Sequence, residues 1–228
     1  MNESTTKHIQ SIQRSAMHIL DTIPSNITVV AAAKGRTLPE VEAVIQSGFT
    51  HIGHNYVQEA QLMMPALEGK AICHMIGHLQ RNKTKKAVQL FDVIETVDSL
   101  QLAQAIDRRC AAIGKVMPIL IEINSGEEPN KAGVLPKSMD DLVSGLADLK
   151  NISIQGLMTM GPRFGDPENA RPFFWATRQA FERLSKWNLP HIDMRYLSMG
   201  MSNSYLVAIE EGANIVRIGT KIFGSRRD

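Results

Sequence analysis

An amine carried at the dry end of a strand can attack carbonyl carbon, and Lys34 is the residue of this chain best placed for that chemistry. It follows the apolar run Val29-Val30-Ala31-Ala32-Ala33, which reads as a short buried strand. Desolvation of the ammonium at such a position lowers its pKa and frees the amine as a nucleophile. The plain alternative is a lysine whose stem merely snorkels to water. Lys34 alone does not decide between them.

Two later segments shift the balance. Ser198-Met199-Gly200-Met201-Ser202 and Arg217-Ile218-Gly219-Thr220 each end an apolar run with glycine and hydroxyl residues. Glycine lets a phosphate approach backbone N–H groups, serine and threonine hydroxyls donate to it, and a following helix start favours the anion. Each segment alone reads equally well as a turn. Together, at the ends of the last two strands, they predict a phosphate site.

Arg217 stands between Val216 and Ile218, where a guanidinium needs a partner. Either it contacts the ring of a bound ligand or it forms a salt bridge, for which Glu122 is the candidate. Asn55 could bind a ligand or cap a helix. The histidines His51, His54, His74 and His78 invite a metal-dependent hydrolase, but no spacing among them demands a metal. Arg81, Lys83, Lys85 and Lys86 read as a solvated helix face rather than a nucleic-acid surface. Met158, Met160, Met199 and Met201 read as packing residues.

The elements that must position these groups alternate throughout. Met1–Asp21 patterns as an amphipathic helix. Strands are expected at Ile27–Ala33, Thr50–Gly53, Ala71–Ile76, Val93–Val97, Pro118–Asn124, Ile152–Met158, Met194–Ser198 and Asn214–Gly219. Between them lie helical patterns beginning near Pro39 and at Val57–Leu67, Lys83–Leu90, Ser99–Ala112, Pro136–Leu149, Glu168–Trp187 and Tyr205–Glu211. That makes eight strands and eight helices with the first helix included. Strict alternation implies parallel strands joined by right-handed crossovers. Eight units favour an α/β fold with one closed (β/α)8 barrel of the TIM type over an open doubly wound sheet. Residues 1–228 then form a single domain, with 1–22 as an extra N-terminal helix packed on it. Active sites of such barrels lie at the C-terminal ends of the strands, where the residues above fall.

Composition excludes little but agrees. With 25 basic and 23 acidic residues the net charge is +2, which marks neither a nucleic-acid nor a membrane protein. Cys73 and Cys110 form no CxxC pair and read as reduced, buried thiols. The N-terminus lacks the apolar core of a signal peptide, and no apolar run approaches a membrane span, so a cytoplasmic protein is expected.

From about Val29 to Gly224 the chain resembles the pyridoxal phosphate homeostasis protein family, whose barrel is similar to the N-terminal domain of alanine racemase. The resemblance is carried by Val30-Ala31-Ala32-Ala33-Lys34, Asn55-Tyr56-Val57-Gln58-Glu59-Ala60, the run from His74 to Lys83, Gly156-Leu157-Met158, Ser198 to Ser202, and Arg217 to Thr220 with Ile222-Phe223-Gly224. It implies pyridoxal 5′-phosphate (PLP) held as a Schiff base on Lys34. It further implies phosphate contacts from Ser198, Ser202, Gly219 and Thr220, with Met199 a cofactor contact within the same loop. Arg217 would face the pyridine nitrogen, and Asn55 and His74 would line the pocket. Two positions depart from the family pattern: His54 and Ser204 stand where acidic residues are usual.

A permanent cation beside the ring nitrogen disfavours its protonation and weakens the ring as an electron sink. The eighth unit lies close to Asp228, so the further domain of the racemase is not expected. The expectation is a PLP carrier that buffers the cofactor and supports vitamin B6 and amino-acid homeostasis, with no catalytic residues. It would act as a monomer or weak dimer, with PLP-dependent apo-enzymes as possible recipients. The alternatives are a slow PLP-dependent racemase or lyase, using Tyr56 or Tyr205 as a second base, and the metal-dependent hydrolase.

Overall fold

Short strands rich in Val, Ile and Ala, each followed by a helix, leave parallel pairing as the arrangement that buries both sheet faces. The computed structural model, which describes residues 3–162, 164–187 and 189–225, closes eight such strands into one barrel in sequential order. The elements run α1 (Glu3–Thr22), β1 (Thr28–Ala32), α2 (Leu38–Gln46), β2 (His51–His54), α3 (Val57–Leu67), β3 (Ile72–Met75), α4 (Thr84–Leu90), β4 (Val93–Val97) and α5 (Leu100–Ala111). They continue with β5 (Met117–Ile123), α6 (Met139–Leu146), β6 (Ile152–Thr159), α7 (Arg171–Leu184), β7 (Ile192–Ser198), α8 (Tyr205–Glu210), β8 (Ile215–Ile218) and α9 (Thr220–Phe223). The pairing of β1 with β8, Val30 opposite Arg217, closes the ring.

Two apolar layers follow from the period of two along each strand. One set of side chains, including Ile52, Ile121, Leu157 and Val216, packs outward under the helices. The other, Val30, Ile76, Leu120, Met158 and Ile215, fills the barrel itself. Alternation then places His74 on the inner face with Ile76, Glu122 with Leu120, Ser198 with Tyr196, and Arg217 with Ile215. The inside of this barrel is therefore part hydrocarbon and part buried polar groups.

Helix α1 buries Ile12, Ala16 and Ile19, spaced by four and three residues along one face. It packs on α2 and α9. Burying each isoleucine contributes about 1.5–3 kcal/mol, and a His8–Glu40 hydrogen bond of 3.0 Å pins the two helices. Met1 and Asn2, the start of the expected first helix, lie outside the described residues.

Local chemistry moves two boundaries. Pro136 and Pro167 open 3-10 turns, Pro136–Ser138 and Pro167–Ala170, so α6 and α7 begin later than their apolar patterns suggest. Proline fits a first turn but supplies no N–H for a longer ladder. Helix α9, four residues long, is too short to show any period. It raises the helix count among the described residues to nine.

Candidate functional site at the barrel mouth

Lys34 stands two residues beyond β1. The Ala33 N–H donates to the Gly53 carbonyl at 2.8 Å, extending the pairing with β2 and carrying Lys34 to the C-terminal rim. The lysine is half-buried, and its Nζ lies 5.1 Å from the centre of the Tyr56 ring. Apart from that ring, it has no hydrogen-bond or ion-pair partner among the described residues. An amine in that state has no salt bridge to break before it reacts.

Asn55 follows β2 and is half-buried beside the same rim. Its backbone is approached closely by Gly77 after β3, where a Cβ would lie 2.3 Å from the Asn55 carbonyl oxygen. Glycine is therefore required at 77 for the β2 and β3 loops to meet.

The loops after β7 and β8 converge. Gly200 has φ 87, and its carbonyl accepts the Arg217 N–H at 3.1 Å, which ties the first loop to β8. Ser202 Oγ then accepts from the Gly219 N–H at 3.1 Å and the Lys221 N–H at 3.4 Å. Thr220 is exposed at the start of α9. A Cβ on Gly219 would reach the Ala32 carbonyl oxygen at 3.4 Å, so this cradle sits against the end of β1, close in sequence to Lys34. Backbone N–H groups and hydroxyls that gather on one point suit a phosphate. Met199 packs in the outer core and Ser204 Oγ accepts the Met201 N–H, so their side chains serve the loop.

Ser198 does not join that cradle. Its side chain is fully buried; Oγ donates to Glu95 Oε2 at 2.6 Å and accepts from Arg217 Nη1 at 2.5 Å. Alternation along β7 turns it inward, so its hydroxyl, expected to contact a phosphate, is here engaged by Glu95 and Arg217. His74 is also committed below the rim. Its Nδ1 lies 2.7 Å from Glu95 Oε1 and its Nε2 lies 2.9 Å from His51 Nδ1. Arg217 Nη2 donates to the Thr159 carbonyl at 2.7 Å and to Met160 Sδ at 3.3 Å. The bridging acid is Glu95, 3.8 Å from Arg217, while Glu122 acts on the guanidinium only through its charge.

Electrostatics follow from this enclosure. Burial alone would raise the Glu95 carboxyl, but the His74 bond, the His74 and Arg217 charges and the Ser198 bond hold it below the ordinary carboxylate value. Glu122 has no such compensation. Burial, reinforced by Asp98 and Glu95 against the pull of Arg217, pushes it up to about 7. Burial lowers Arg217 and also brings His51 to about 4, the latter aided by His74. Cys73 and Cys110 are buried, and their thiols are raised to about 12 and about 11, which leaves them inert at neutral pH.

The histidines do not converge. His51 and His74 bond to each other, His54 is buried beside Phe91, and His78 faces Asp98. Among the described residues no group of three His, Cys, Asp or Glu is placed to hold a metal ion. Glu95 is the residue the sequence reading missed. Its signal was the one that marked Arg217: a charge inside an apolar strand.

Comparison with known proteins agrees with the geometry. The profile of the family described as alanine racemase, N-terminal domain, matches residues 8–227. A pyridoxal phosphate homeostasis protein of Aquifex aeolicus is 38% identical over 207 residues, covering 89% of each chain. This chain belongs to that family. Another member, the pyridoxal phosphate homeostasis protein of Escherichia coli K12, is 34% identical over 89% of this chain and 87% of its own length. The family member PipY of Synechococcus elongatus, in a structure described as having PLP bound, superposes with a TM-score of 0.86. It is 29% identical and covers 93% of this chain and 100% of its own. Alanine racemase of Clostridium difficile shares the fold alone: 15% identity, TM-score 0.79, and 96% of this chain matched to 58% of that one.

Proposed function

We propose that this chain binds PLP at the barrel mouth, through a Schiff base on Lys34, and acts as a carrier that takes up and releases the cofactor. The observation that carries the reading is the Lys34 amine. It is half-buried at the rim, free of hydrogen-bond and ion-pair partners among the described residues, and two residues past the end of the strand next to the Ser202–Gly219 cradle. Condensation would join its nitrogen to the aldehyde carbon and release the aldehyde oxygen as water. The names of the relatives and the PLP-bound PipY support the same ligand.

The residues present fit the group. Ser202, Gly219 and Thr220 would hold the phosphate, with the Met199–Gly200 backbone shaping the loop, and Asn55 would stand at the rim beside the ring. When bound, PLP supplies an aldehyde for amines and a pyridine ring that can withdraw electrons. Arg217 would face the ring nitrogen. Its buried cation disfavours a proton on that nitrogen, which weakens electron withdrawal and suits storage over turnover.

On this reading the protein buffers intracellular PLP and so contributes to vitamin B6 and amino-acid homeostasis. It works in the cytoplasm as a monomer or weak dimer, with PLP-dependent apo-enzymes as recipients. No helix among the described residues is long and apolar enough to cross a membrane. The test is to load purified protein with PLP and mix it with both enantiomers of a panel of amino acids. Release of PLP without racemised or cleaved product is expected; rapid racemisation would replace the carrier by an enzyme.

A further inference from the structure

Five side chains form one hydrogen-bonded chain through the inside of the barrel. His51, half-buried at the start of β2, meets His74; His74 meets Glu95; Glu95 meets Ser198; and Ser198 meets Arg217. The four steps measure 2.9, 2.7, 2.6 and 2.5 Å. His74, Glu95, Ser198 and Arg217 are at most 3% exposed, so nothing in water substitutes for a missing partner.

The hydrogens have a direction. Glu95, held in its ionised form, can only accept, so His74 Nδ1 and Ser198 Oγ both donate to it. Ser198 is then left to accept from Arg217, as observed. Both arms converge on Glu95. A guanidinium in hydrocarbon swings toward any acceptor unless its N–H groups are engaged. Here three of its five are, on Ser198, the Thr159 carbonyl and Met160 Sδ.

We propose that Glu95 is a positioning residue: through Ser198 it fixes Arg217 in the orientation that meets the ring nitrogen of bound PLP, and His74 with His51 behind it fixes Glu95. The inference rests on the cofactor reading above and extends it to four residues that never touch the ligand. Ser198 thereby acts one bond beneath Arg217, and His74 three, instead of lining the site. The arrangement also accounts for a carboxylate sealed inside a barrel. It is the counter-charge without which Arg217 could not be buried there.

The test uses full-length Glu95→Gln and Ser198→Ala proteins, with Thr177→Ala, a buried hydroxyl in α7, as control. Each is loaded with PLP carrying 15N in the ring. Both network variants should move the ring-nitrogen resonance away from the wild-type position and release PLP about tenfold faster, the scale of one lost bond to a charged group. The peptide trapped by borohydride should still contain Lys34, and Thr177→Ala should match wild type.

A second arm needs no PLP. The Arg217 guanidinium nitrogens of 15N-labelled protein should be separate resonances in wild type and averaged by rotation in Ser198→Ala, which deletes one hydroxyl and leaves the charges in place. If wild type takes up no PLP, the cofactor reading fails, and the guanidinium arm still decides whether the network anchors Arg217. If folded variants keep the wild-type guanidinium pattern, ring resonance and release rate, Glu95 has no positioning role and the proposal is overturned.

Discussion

The Ser202 hydroxyl lies 3.1 Å from the Gly219 amide nitrogen, bridging the loops that follow the seventh and eighth strands. Nearly the whole cradle turns on this pair, because the same oxygen also receives the Lys221 N–H. Replacing Ser202 by alanine removes the hydroxyl that joins the loops and one donor to a phosphate. PLP should bind about tenfold more weakly, while bonds elsewhere in the barrel stay intact. Titration of the variant with PLP, and separately with inorganic phosphate, checks this. Unchanged affinity for both would place the phosphate elsewhere.

Gly200 makes the same loop possible. At φ 87 an added Cβ would lie 2.6 Å from the Ala208 Cβ and 2.9 Å from the Tyr205 Cα. Gly200→Ala should therefore destabilise the fold by roughly 2 kcal/mol or more, from left-handed strain and overpacking together. Urea unfolding measures it. A midpoint within error of wild type would mean that the loop relaxes freely.

Glu122 gives stability an unusual pH dependence. Burial raises its folded pKa to about 7 from 4.5, so the folded state binds its proton more tightly than the unfolded state does. Its contribution is fully present below 4.5 and is lost as pH rises through 7. The span is on the order of 3 kcal/mol. Glu122→Gln should flatten the decline between pH 4.5 and about pH 7 in denaturant midpoints. An unchanged slope would show that another group titrates there.

His54 acts in the opposite sense. Both ring nitrogens are buried with no partner among the described residues, and burial brings the folded pKa to about 4. A depressed histidine contributes stability above its unfolded value of 6.5, and that contribution is lost as pH falls toward 4. His54→Leu removes the unpaired nitrogens and fills similar space. It should raise stability near neutral pH by about 1 kcal/mol and soften the acid limb between those values. Calorimetry across that range checks both signs.

Much of this was legible in the sequence, and the limits were geometric. Lys34, Ser202 and Gly219 stood out because a reactive or hydroxyl- and glycine-type residue at a strand end is a local signal, and the structure brings them to one rim. The barrel was found because each strand is bounded and each is followed by a helical period. Glu95 and Ser198 were not understood, since their bond joins positions 103 residues apart and depends on which face of two strands turns inward. Ser198 stands beside the Gly200–Ser202 loop in sequence and beneath it in space. One residue of alternation separates those two assignments. His74 was picked for the pocket on resemblance, whereas its two ring nitrogens are already engaged by His51 and Glu95.

The most direct test of the central claim is the absorbance spectrum of PLP-loaded protein, repeated after borohydride reduction and with Lys34→Ala. We expect a visible band in wild type, its loss in the variant, and a reduced cofactor locked onto a peptide containing Lys34. A protein that stays colourless when PLP is added, or a band that persists in Lys34→Ala, would contradict the account.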